Sequence, residues 1–181
     1  MYIVTMLRTS FCLLVLATLA ACGNPARRAE TPPVASIQEL MLTQIDPAAD
    51  VLWESVATIS NAAGVEDRQP RTDAQWAAVR KGALALIQGA DALTHPGRAV
   101  APAGSKTEGE EAGVESVPDM QTAIDADHPR FVAMAHALRV TGEKALAAID
   151  RRDPQALFDV GGEIDEACEH CHRAIWYPHS P

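Results

Sequence analysis

Apolar residues recur along this chain at steps of three and four, and they do so in four separate runs. The first spans about Ser36 to Asn61, with Ile37, Met41, Ile45, Leu52, Val56 and Ile59 on one stripe. Asp46-Pro47 falls inside it, a pairing suited to an N-cap and a first helical position, so a kink or fresh start is expected there. The second opens at Thr72, with Gln75 at capping-box spacing. Trp76, Val79, Ala83, Leu86 or Ile87, Ala90 and Leu93 follow, and His95-Pro96-Gly97 ends the run. The third covers about Pro129 to Arg152 through Phe131, Ala135, Leu138, Gly142, Ala145 and Ile149. Asp153-Pro154 starts the fourth, where Leu157, Val160, Ile164, Cys168, Cys171 and Ile175 form one stripe before Pro178. No sustained two-residue alternation and no Asn-Gly turn interrupts them, so no strand is predicted. Helices joined by very short turns lie antiparallel. The expected fold is all-α, an antiparallel up-and-down four-helix bundle over residues 36–181.

Two stretches fall outside this pattern. Residues 96–118 are rich in Gly, Pro and Ala and carry the acidic run Glu108-Gly109-Glu110-Glu111, which predicts an exposed loop. Residues 1–21 combine Arg8 with an uncharged run from Phe11 to Ala21, too short for the roughly 20 residues of a spanning helix and suited to an export signal. That run closes on Leu19-Ala20-Ala21-Cys22, which resembles a bacterial lipobox. The resemblance implies removal of residues 1–21 with Cys12, lipidation of Cys22, and residues 22–35 as a tether. With Gly23 after the cysteine it implies a periplasmic, lipid-anchored protein, on the outer rather than the inner membrane.

Composition narrows the function. The chain has 181 residues, 48% of them hydrophobic, with a formal net charge of −9. An acidic chain without a basic cluster is not read as a nucleic-acid binder. Aromatic residues make up only 4%, thin for a core of this size. The four cysteines sit in two distant pairs, Cys12 with Cys22 and Cys168 with Cys171, unlike a disulfide framework.

The second pair carries the chemistry. Cys168-Glu169-His170-Cys171-His172 has the C-x-x-C-H spacing of c-type haem attachment. On a helix, positions i, i+3 and i+4 share a face, so two sulfurs and one imidazole point the same way. Two thioethers can fix a haem edge while His172 offers nitrogen to the iron. The same residues also allow a plain disulfide, or a zinc site completed by His170 or His179, although a second separated ligand pair is missing.

An exported chain with this motif in the last of four helices resembles the class II c-type cytochromes, the cytochrome c′ family. The resemblance covers residues 36–177. It implies one covalent haem c on Cys168 and Cys171, with His172 as axial ligand. Family members place a first-helix residue opposite that histidine, often methionine, which makes Met41 the candidate sixth ligand or else a core filler. Met134 and His136 lie off the main stripe of their helix, and His95 and His128 sit at helix ends. Trp53 and Trp76 fit core packing better than ring stacking. Glu169 and His170 stand where relatives often carry Lys, and residues 96–118 are longer than the usual connection.

With no nucleophile–base pair in view, an enzyme is not expected. The expected role is one-electron transfer, with the acidic surface favouring a basic redox partner. Many relatives dimerise, so a homodimer stays open. A five-coordinate haem holding a small gas such as nitric oxide, and a zinc-stabilised interaction lipoprotein, are the alternatives.

Overall fold

The computed structural model describes residues 34–107 and 113–178. The signal segment 1–21, Cys22, most of the tether, the acidic run at 108–111 and His179 lie outside the described residues.

Ser36 begins the first helix. Its hydroxyl accepts from the Glu39 N–H at 3.2 Å, while the Glu39 carboxylate accepts from the Ser36 N–H at 2.7 Å, a closed capping box. Helix α1 then runs over residues 37–55, as α-helix at Ile37–Leu40, a π turn at Met41–Ile45 and α-helix again at Asp46–Ser55. The kink or fresh start expected at Asp46-Pro47 takes the form of this π turn, after which regular α-helix resumes at Asp46 with Pro47 in its first turn. Pro47 lacks the N–H that would bond to Thr43, and its ring would meet the Thr43 carbonyl in a regular helix. One extra residue is inserted in the turn just before it, and the Asp46 N–H donates to the Met41 carbonyl.

Helix α1 stops at Ser55, not Asn61. Val56 is extended, and strands β1 (Ala57–Asn61) and β2 (Gly64–Arg68) form an antiparallel hairpin. The protein is therefore mostly helical with a small two-stranded sheet. Val56, Thr58 and Ile59 are β-branched, which favours extended backbone. The Asn61 side chain accepts from the Ala63 N–H at 2.8 Å, and Gly64 takes φ +131°, which a side chain would resist. Asn61 and Gly64 thus form the turn with Ala62-Ala63 between them.

Helix α2, Asp73–Leu93, opens on the predicted capping box of Thr72 and Gln75. It lies very close to α1: a Cβ at Gly89 would sit 2.6 Å from Ile45 Cγ1. The connection after α2 is not wholly exposed. Val100 and Ala101 are buried, the Ile37 N–H donates to the Ala99 carbonyl at 2.9 Å, and the Gln38 N–H to Val100 at 2.8 Å. The first N–H groups of a helix have no partner within it, and this segment supplies acceptors.

A further helix, α3 at Val117–Ala126, is capped by Ser116 and buries Met120 and Ile124. Helix α4 follows at His128–Asp150 and α5 at Pro154–Ile175, each opened by an aspartate, Asp127 and Asp153. Between them Arg152 turns the chain at φ +53°, and its guanidinium reaches Asp73 at 2.5 Å.

Cross-links fix the registers. Arg80 pairs with Asp150 and Asp91 with Arg139, so residue numbers rise along α2 as they fall along α4. Lys144 pairs with Glu163 between α4 and α5, and the Trp53 indole donates to the Gly161 carbonyl at 3.0 Å between α1 and α5. Ile45, Leu52, Leu86, Leu157 and Ile164 are the most deeply buried large side chains. Among neighbouring long helices α2–α4 and α4–α5 pack most closely and α1–α5 most sparsely. No helix of the described residues is long and apolar enough to cross a membrane.

Candidate functional site

The sparse α1–α5 seam contains the predicted motif. Cys168, Cys171 and His172, with Ala167, line a cavity of about 20 Å³ from α5. Met41, Ile45 and Asp46 face it from α1, Leu93 from α2, and Met134, Ala135 and Leu138 from α4. Ideal helical spacing aligns residues 168, 171 and 172, and the strong amphipathic character of α5 turns that face inward.

Both cysteines are free thiols. Burial pushes Cys168 up to about 11, helped by the charges of Asp46, Cys171 and Asp165; burial alone pushes Cys171 up to about 11. Neither is a thiolate at neutral pH, so the pair lacks the lowered pKa of a redox or nucleophilic C-x-x-C. Desolvation lowers the pKa of His172 against the opposing pull of Asp46 and Glu169. A neutral imidazole keeps a lone pair available to a metal. Asp46, at the solvent-facing rim, is raised first by desolvation, against the lowering effect of His172.

Beyond the cavity, the Trp176 ring stands 5.1 Å from His172 at an interplanar angle of 82°. Tyr177 lies 6.3 Å from the same imidazole.

Of the residues singled out in the sequence, Cys168, Cys171, His172 and Met41 are brought together. Met134, placed off its stripe by periodicity, is buried and lines the same cavity, because α4 as well as α1 supplies a wall of it. His136 and His170 instead flank a separate open groove of about 530 Å³ between α4 and α5. His95 is exposed and His128 packs near Phe131. Trp76 is buried in the core, and Trp53 is tied to Gly161, so neither lines the cavity. Sequence reasoning missed Asp46 and Leu93 at the site and ranked Met134 below Met41. For Leu93 a signal existed, since it closes the apolar stripe of α2.

Structural zinc needs four protein ligands. Among the described residues no group of three or more His, Cys, Asp or Glu converges to hold a metal ion. A haem iron brings four nitrogens of its own and asks the protein for one or two ligands, which His172 and a methionine sulfur can supply.

No known protein family, curated protein or solved structure matches this chain.

Proposed function

We propose that this protein is an exported monohaem c-type cytochrome that carries single electrons. One observation carries the reading: two protonated thiols and one neutral imidazole, at attachment spacing, face a common apolar seam between helices. Cys168 and Cys171 would hold the haem edge through thioethers, and His172 would be the axial ligand. When bound, haem supplies an iron that changes oxidation state by one electron. The chain's own contribution is the apolar wall of Ile45, Leu93, Ala135 and Leu138, which excludes water, and the sulfur of Met41 from the opposite helix. The cavity falls well below the roughly 300 Å³ of a ligand pocket. A flat ring would therefore have to part the helices where packing is thinnest, along α1 and α5.

The opposed register of α2 and α4, the short turn at 151–153 that joins α4 to α5, and the placing of Asp46 by His172 and Trp53 by Gly161 between α1 and α5 support reading the four long helices as an antiparallel up-and-down bundle, with α3 and the hairpin as additions. That arrangement and the motif together support membership of the cytochrome c′ class. Lipidation at Cys22, a periplasmic face on the outer membrane and a basic redox partner complete the proposal. The last rests on the formal charge of −9.

Expression with haem-attachment machinery, followed by visible spectroscopy and intact mass, tests it. Covalent haem with low-spin bands is the expected result. High-spin bands that shift strongly with nitric oxide would replace electron transfer by gas binding. An unmodified mass with no haem bands would overturn both haem readings.

A further inference from the structure

Glu169 occupies the first of the two positions between Cys168 and Cys171. Its carboxylate, on a side chain 39% exposed, reaches forward along the chain. One oxygen accepts from Arg173 Nε at 2.6 Å and the other from the Tyr177 hydroxyl. Backbone bonds reinforce this closure: the Trp176 and Tyr177 N–H groups both donate to the His172 carbonyl, at 2.7 and 3.1 Å. The Glu115 N–H, from the segment before α3, donates to the Trp176 carbonyl at 2.7 Å. The turn that ends α5 is thus held by a side chain, by its own helix and by a distant segment.

That turn places one ring. Trp176 is 36% exposed and is absent from the buried core, yet its indole stands perpendicular to the His172 imidazole at 5.1 Å. Perpendicular aromatic pairs at this separation are favourable, because the positive edge of one ring meets the negative face of the other. The ring of a histidine is otherwise free to rotate broadly about its outer torsion. A neighbouring indole restricts that rotation and covers part of the imidazole from water.

We infer that Glu169 is a positioning residue: through Tyr177 and Arg173 it locks the turn after α5, so that Trp176 fixes the ring plane of His172. The inference rests on the haem reading only for its consequence at the iron; the lock itself is a property of the polypeptide. Outer-shell contacts that orient a ligating histidine tune the metal it holds.

The test uses the full chain in two states, with and without haem attachment, and four variants: Glu169→Ala, Tyr177→Phe, Trp176→Phe and Trp176→Ala. In the haem-free chain the near-ultraviolet circular dichroism assigned to Trp176, by difference from Trp176→Phe, is expected to lose most of its intensity in Glu169→Ala and Tyr177→Phe. In the haem-loaded chain the low-temperature electron paramagnetic resonance g-values and the reduction potential are expected to shift in Glu169→Ala, Tyr177→Phe and Trp176→Ala alike. Trp176→Phe, which keeps a ring, is expected to restore them. Parent-like dichroism in Glu169→Ala and Tyr177→Phe would overturn the lock, and unchanged g-values in Trp176→Ala would overturn its role at His172. A parent chain that takes up no haem would sink the cytochrome reading while leaving the dichroism test of the lock intact.

Discussion

The backbone N–H of Asp46 donates to the carbonyl of Met41, five residues back, and both side chains line the cavity of Cys168, Cys171 and His172. In a regular α-helix two residues five apart point about 140° away from each other, at about 3.6 residues per turn. The π turn brings them round to a common side. A sulfur and a carboxylate from one turn of α1 therefore meet the same three groups of α5. Isolated π turns occur often at functional sites.

That placement makes the two thiols distinguishable. Raised from 9.0 to about 11, both should alkylate with iodoacetamide about 100-fold more slowly at neutral pH than an ordinary cysteine, in the chain without haem. Asp46→Asn should accelerate Cys168 and leave Cys171 nearly unchanged, because only Cys168 feels the Asp46 charge. Peptide mass spectrometry of the time course reads both rates. Equal acceleration of the two would show a loosened seam rather than a lost charge.

The same shifts give stability a pH dependence. Both folded-state values lie above the ordinary 9.0, so the folded chain keeps thiol protons where the unfolded chain has released them. Their contribution is full below pH 9 and is lost as the pH rises through about 11. Urea midpoints of the haem-free chain should fall between neutral and strongly alkaline buffer, and fall less in the Cys168→Ser, Cys171→Ser double variant. An equal fall in both proteins would rule out the thiols as its source.

Met41 and Met134 face one cavity and separate by substitution. Met134 is 5% exposed, and Met134→Ala should cost about 2–5 kcal/mol by urea denaturation. Met41, only partly buried, should cost less and instead convert a low-spin haem spectrum to high-spin. A low-spin spectrum that survives Met41→Ala but disappears in Met134→Leu would move the sixth ligand to α4.

Gly89 is where α1 and α2 come closest at the site. A methyl there would lie 2.6 Å from Ile45 Cγ1, in a cavity-lining residue of the π turn. Gly89→Ala should therefore destabilise by about 1–3 kcal/mol despite the better helix propensity of alanine. Thermal or urea unfolding checks the sign, and a more stable variant would show that the π turn yields freely.

The long helices were legible because their apolar residues repeat at helical period and two of their starts carry the Thr72-Gln75 and Asp153 caps; the Asp127 cap of α4 went unread. The hairpin was not. Val56 and Ile59 extend the α1 stripe by steps of four and three, so periodicity could not tell strand from helix there. Helix α3 has Val117, Met120 and Ile124 at helical spacing, but its first two residues fell in the expected loop 96–118 and the rest of this short run was given no element. At the site, the C-x-x-C-H residues were readable since their geometry is local to one helix. Asp46 depends on a π turn that no spacing rule anticipates. Met134 depends on which helix closes the cavity, a long-range fact of packing.

The hairpin leaves the molecule an accessible handle. Every residue of β2 is exposed, and Ala62-Ala63 form a loop that supports no core side chain. Lengthening such a loop is cheap, roughly 0.6 kcal/mol for each doubling. The hairpin also begins beyond Ser55, about 14 Å along α1 from Asp46 at about 1.5 Å per residue. A fluorophore or affinity tag inserted between Ala62 and Ala63 would thus report on the protein while standing clear of the cavity between α1 and α5.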